Sequence, residues 1–200
     1  MSKENAKKDG FASMLKLGLI LAAFAAVACV LLALVNNVTE PKIAQTKAME
    51  LKNGLSTIFT QATDFEEVPG FTKETINGVD IESMYIAKKD GQVIGCAVQA
   101  TGATYDKSTI LTGVTTDRKI QSIKFLSCSD TSGFGLNATK PEFYNQFAGK
   151  SIDDKFNAEK GGDIDGLSGA TISRRGIAKI LKVSTQKAQQ ALDSLEGSAE

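Results

Sequence analysis

The chain of 200 residues contains no histidine and no tryptophan, and it has only three cysteines and three prolines. Without His there is no axial imidazole for haem, no Cys-x-x-Cys-His attachment, no imidazole base for a hydrolase and no His-bearing zinc site. Cys29, Cys96 and Cys128 lie too far apart for the closely spaced pairs of zinc or iron–sulfur sites. Cys29 falls in an apolar run. Cys96 and Cys128 sit in separate strand-like runs and read as buried thiols, with their pairing left open. Neither sign of charge predominates, since 23 basic and 23 acidic side chains cancel. That balance gives no electrostatic reason to expect nucleic acid as a partner. A redox group in this chain must be organic or be supplied by a partner.

One long uncharged run is present. Residues 17–35 read LGLILAAFAAVACVLLALV, long enough as a helix to span most of a ~30 Å hydrocarbon core, and residues 11–15 can extend it. It has no polar face, unlike a buried soluble helix. A cleaved signal peptide is the competing reading, favoured by Lys3, Lys7 and Lys8 upstream. It is disfavoured by the length of the run and by the absence of a small-x-small cleavage site in NNVTEPKIAQ. The small lysine excess before the run places the N-terminus inside. The expected organisation is a cytoplasmic tail (1–16), a transmembrane helix (17–35) and an extracytoplasmic domain (36–200) of a cell-membrane protein.

Thr39, Glu40 and Pro41 look like a helix start, and Leu51, Leu55, Ile58 and Phe59 recur at helical spacing, predicting an amphipathic helix over about 42–60. It should end near the polar stretch QATDFEEVPG. The period then changes. MYIA and QVIGCAVQA flank Asp90-Gly91 as a hairpin, and STILTGVTT and KIQSIKFLSC flank residues 116–119 as a second. EFYNQFAG reads as a short helix. Apolar residues from Ile177 to Leu195 recur every three or four positions, predicting a long helix over about 173–195, with a polar tail after it. The fold class is α+β, an antiparallel sheet packed with helices beyond a single N-terminal membrane helix.

The chemistry concentrates in DIDGLSGATIS, residues 163–173, between the Gly-rich loop GGDIDG and the long helix. Gly166, Gly169 and Ala170 remove bulk, Ser168, Thr171 and Ser173 add hydroxyls, and a helix N-terminus favours an anion. Arg174 and Arg175 in the first turn oppose the helix dipole, so a nearby phosphate would compensate them. A plain N-cap and loop account for the same residues. The Walker spacing is absent.

Asp165-Gly-Leu-Ser-Gly-Ala-Thr171 resembles the Asp-x-x-Ser/Thr-Gly-Ala-Thr motif of FMN-binding domains that carry covalent flavin. Asp130-Thr-Ser-Gly-Phe-Gly-Leu136 resembles their Glu-Thr-Pro-Gly-Leu-Gly loop, with Ser132 where Pro is usual and Phe134 where Leu is usual. With one anchor and about 200 residues, the chain is most similar to the G subunits of Rnf-type electron-transport complexes. The C subunits of sodium-pumping NADH:quinone oxidoreductases are related and usually longer. The resemblance implies FMN joined by its phosphate to the hydroxyl of Thr171 through a flavin transferase. It also implies cofactor contacts from Ser168, Gly169, Ala170, Ser173 and Asp165, with Thr131, Gly133 and Leu136 beneath the flavin ring. The implied role is a redox relay among other membrane subunits, in contact with lipid, between ferredoxin-side and NAD-side carriers. The chain is not a complete enzyme, since it has no nicotinamide-binding turn, no iron–sulfur cysteines and no polar group inside its one span. The remaining alternatives are the flavin subunit of the sodium pump and a non-redox binding module on a membrane stalk.

Overall fold

The computed structural model describes residues 3–154, 156–158 and 164–196. Gly161, Gly162 and Asp163 of the glycine-rich loop, and the polar tail, lie outside the described residues. The chain divides into two compact units, Met1–Met49 and Glu50–Glu200.

The first unit is helical throughout its described residues. Helix α1, Lys3–Ile58, contains Pro41 in its interior, so the expected new helix start at Thr39–Pro41 is not there. Proline removes only the hydrogen bond to the carbonyl four residues back, at Asn37. The stretch is exposed on all sides, so that carbonyl can be hydrated, and the Asn36 side chain donates to Glu40 across the same turn at 3.4 Å. Thr39 cannot act as a cap because the residues before it are already helical. Between Met14 and Ile58 α1 contains a stretch apolar and long enough to cross a membrane, with mean hydropathy 2.9.

The second unit is built on a six-stranded antiparallel sheet. Its strands are β1 Asp64–Glu67, β2 Glu74–Ile76, β3 Val79–Lys89, β4 Gln92–Ala103, β5 Lys107–Thr115 and β6 Ile120–Cys128. The order is β1-β3-β4-β5-β6, with β2 also pairing along β3. The predicted turn between β3 and β4 is present: Asp90 and Gly91 both have positive φ (50° and 83°) between the paired Lys89 and Gln92, as a two-residue type I′ turn requires. Asn77 and Gly78 repeat this geometry between Ile76 and Val79, creating a hairpin beyond the two expected ones. The stretch DFEE, to which its polar sequence assigns no element, is strand β1. It is short, polar and exposed because it lies at the sheet edge, where only one neighbour exists.

Alternation along the strands divides the core. Ile81, Cys96, Val98, Ala100, Ile110 and Val114 point to one face, and Ala87, Ala97 and Leu111 to the other. The first face is covered by helix α3, Thr171–Glu196, through Ile177, Ile180, Leu181 and Ala188. The second is covered by Leu55 and Ile58 at the end of α1 and by Phe59 just beyond it. Gly113 permits this approach, because a Cβ there would lie 2.2 Å from Ile58 Cγ2. The expected short helix is α2, Pro141–Tyr144, followed by a 3-10 turn, Asn145–Phe147. They plant Phe143 and Phe147 in the α3-side core as an edge-to-face pair, 5.6 Å between centroids. Cys29, Cys96 and Cys128 are free thiols, and burial pushes Cys96 up to about 12.

Candidate functional site

Three chain segments meet at one end of the sheet: the tip of the β4–β5 hairpin, the loop after β6, and the start of α3. The loop after β6 turns at Thr131–Phe134, where the Phe134 amide donates to the Thr131 carbonyl at 3.2 Å and Gly133 has φ +80°. A positive φ at the third position of such a turn is why Gly stands there. The second position, held by Ser132, is the one proline favours, which gives a physical reason for the Pro of the resembling loop motif. The chain then forms a 3-10 helix, Gly135–Thr139.

The segment before α3 uses the same device. The Ala170 amide donates to the Leu167 carbonyl at 3.1 Å, and Gly169 has φ +71°. The two turns face each other, with the Phe134 ring about a carbon contact from Gly169: a Cβ there would lie 3.0 Å from Phe134 Cδ1. Helix α3 begins at Thr171, two residues earlier than its apolar period predicts. Thr171 is thus the first helical residue, exposed beside the unpaired amides of the helix start.

Between the segments lies a cleft of about 430 Å³ lined by Tyr105, Thr131, Phe134, Gly135, Gly169, Ala170, Thr171, Ile172 and Ser173. Of the residues predicted for the site, Thr131, Gly169, Ala170, Thr171 and Ser173 are therefore brought together. Gly133 and Leu136 shape the loop without lining the cleft. Ser168 is exposed in the turn before α3, and Asp165 is exposed with its amide held by the Gln146 side chain at 2.6 Å. Tyr105, Gly135 and the supporting Asp130 were not foreseen as site residues. Tyr105 carried only a faint signal, an aromatic in a polar hairpin tip.

The floor is rigid. Asp130 is buried, and its Oδ1 accepts from Thr104 Oγ1 at 2.5 Å and from the Asp106 amide at 2.9 Å. Burial opposes its charge, but the Asp106 amide, the Ser173 and Thr104 hydroxyls and the Tyr105 amide outweigh that and hold its carboxyl below the usual carboxylate range. Gly135 is required by crowding rather than by its φ, since a Cβ would come within 2.3 Å of Ser173 Oγ and 2.4 Å of Asp130 Oδ2.

Comparison with known proteins places this geometry. Residues 1–58 match the RnfG N-terminal region and residues 104–186 match the FMN-binding domain. A relative from Methanosarcina acetivorans, named as the G subunit of an ion-translocating oxidoreductase complex, is 30% identical over 158 residues, covering 78% of this chain and 84% of the relative. This chain belongs to that G-subunit family. Another member, from Clostridium ljungdahlii, is named as the G subunit of a proton-translocating ferredoxin:NAD(+) oxidoreductase complex; it is 27% identical over 165 residues, covering 79% of this chain and 82% of its own length. The crystal structure of Shewanella oneidensis NqrC aligns with TM-score 0.50 and 20% identity over 69% of this chain and 73% of that one, a likeness of fold.

The FMN-binding domain match thus spans the whole cleft, from Thr104 to α3. The residues present fit such a group. The cleft has the size of a cofactor site, Gly135 and Gly169 keep its floor and one wall free of Cβ atoms, Tyr105 and Phe134 offer aromatic faces, and a helix start suits a phosphate. As a member of the G-subunit family with a helix of membrane-spanning character, the chain is a membrane protein of a multi-subunit complex.

Proposed function

We propose that this chain is the flavin-carrying relay subunit of a membrane-bound, ion-translocating oxidoreductase complex of the ferredoxin–NAD type, with FMN bound covalently through Thr171. The observation that carries the proposal is Thr171, exposed at the start of α3 and lining a cleft whose other wall is the Thr131–Gly135 loop. In the attachment, Thr171 Oγ loses its proton and bonds to the FMN-side phosphorus of a flavin-bearing diphosphate donor, whose P–O bond to the second phosphate breaks so that the other nucleotide leaves as a monophosphate and the proton passes to solvent. A flavin transferase supplies this step. Amides at the helix start then face the phosphate, and Ser173 and Thr131 offer hydroxyls along the cleft. Bound FMN supplies the redox chemistry. The protein fixes its position and surrounds it with dipoles.

Residues 17–35 form the membrane-spanning part of α1 in this proposal, in contact with lipid. Residues 1–16 lie in the cytoplasm, the domain of residues 36–200 is extracytoplasmic, and the remaining subunits provide ion translocation. Cysteine-accessibility labelling of engineered residues on either side of the span tests the orientation. The attachment is tested by intact mass of the full chain co-expressed with a flavin transferase. The expected increment is one FMN less one water, lost in Thr171→Ala. Retention of flavin by Thr171→Ala refutes the attachment point, and a wild-type chain that acquires none refutes the proposal.

A further inference from the structure

Among the described residues, Asp130 is the one charged side chain that is buried. It does not line the cleft but lies directly behind Gly135, which does: its Oδ2 is 2.4 Å from the position of a Cβ there. Oδ1 is tied to Thr104 and to the Asp106 amide, whereas Oδ2 has no well-formed hydrogen bond. Behind Thr104 the polar path continues to Ser108 at 3.1 Å and from Ser108 to Cys128 at 3.3 Å. The groups that hold this carboxylate are thus neutral dipoles, which stabilise a charge without cancelling it. A net charge at a buried position is screened far less than one in water.

We infer that Asp130 is a fixed negative charge beneath the cofactor cleft that lowers the midpoint potential of FMN bound there. The inference rests on the FMN reading of the cleft. Uptake of an electron adds negative charge above a floor that is already negative, so the oxidised state is favoured. Asp130 acts through this field, and it positions the site by joining the β4–β5 tip to the segment that contains Gly135.

The test is a spectroelectrochemical titration at pH 7 of the full, flavin-loaded chain in detergent, with thermal melting recorded for each variant. Asp130→Asn keeps the shape and removes the charge. It should shift the potential in the positive direction by at least a tenfold change in the ratio of reduced to oxidised flavin, about 30 mV for a two-electron couple. Thr104→Val keeps the charge but removes a dipole that offsets it, so the potential should move the opposite way. Asp130→Glu should stay close to wild type. A merely structural role would move Asp130→Asn and Thr104→Val in the same direction. A folded, loaded Asp130→Asn at the wild-type potential overturns the inference, as does a positive shift in Thr104→Val. If Asp130→Asn fails to fold, the sign for Thr104→Val decides. A wild-type chain without flavin is a separate outcome, the failure of the FMN reading itself.

Discussion

Replacing Gly135 by Ala isolates the crowding at the floor of the cleft. The added Cβ would stand 2.3 Å from Ser173 Oγ, 2.4 Å from Asp130 Oδ2 and 2.7 Å from Asp130 Cβ. Ser173 and Asp130 are both buried, so neither can swing out to solvent. Overpacking of this kind costs about 1–3 kcal/mol. At about 2 kcal/mol the melting temperature should fall by roughly 4–8 °C for a domain of this size. Gly133, two residues away, is the control. Nothing lies within 4 Å of its Cβ position, but its φ is +80°, so Gly133→Ala carries only a backbone cost of about 1–2 kcal/mol. Asn tolerates positive φ better than Ala. Gly133→Asn should therefore melt above Gly133→Ala, whereas Gly135→Asn should melt below Gly135→Ala because its side chain is larger. Thermal unfolding of the full chain in detergent, followed by circular dichroism, gives all four values. The reasoning is wrong if Gly135→Ala melts within a degree of wild type, or if Asn outperforms Ala at both positions.

Asp130 also makes an acid prediction. Its folded carboxyl is depressed, so its stabilisation is complete above the unfolded carboxylate range and is lost as pH falls through the folded value. Wild type should lose stability more steeply than Asp130→Asn below about pH 4, as measured by melting across that range. Phe147 is fully buried against Phe143, and Phe147→Ala should cost about 3–5 kcal/mol in denaturant titration. The Cys96 thiol, pushed up to about 12 within the sheet, should resist alkylation at pH 8 in the native chain and react after unfolding. Equal modification in both states would refute its burial.

The sheet was legible where turn chemistry and alternation agreed, as at Asp90-Gly91. The Asn77-Gly78 signal was equally strong, but β2, the strand it joins to β3, has three residues, too few to show a period. Strand β1 was hidden because an edge strand needs no apolar alternation. Pro41 misled because the rule that proline starts a helix assumes that a missing hydrogen bond must lie at an end. In the site, Thr171 and Thr131 could be named from their local motifs. Asp130 entered only as the first residue of its loop, and its link to Thr104 could not be read, because it joins residues 26 apart and depends on the register of β5 on β4 and of β6 on β5. Tyr105 was hidden for the same reason.

The assembly of the cleft from three segments has a consequence for the order in which the chain matures. Its floor forms when β4, β5 and β6 are paired, but one wall belongs to α3, which the ribosome delivers last. Ser173 lies 43 positions beyond Asp130 in the numbering, so uniting them requires closure of a long intervening loop, whose entropic cost grows only slowly with its length. The cleft therefore closes only when α3 docks, the same step that covers the open apolar face of the sheet. Truncations that end before Thr171 remove both a wall of the cleft and the helix that covers one face of the sheet, and should abolish the pocket.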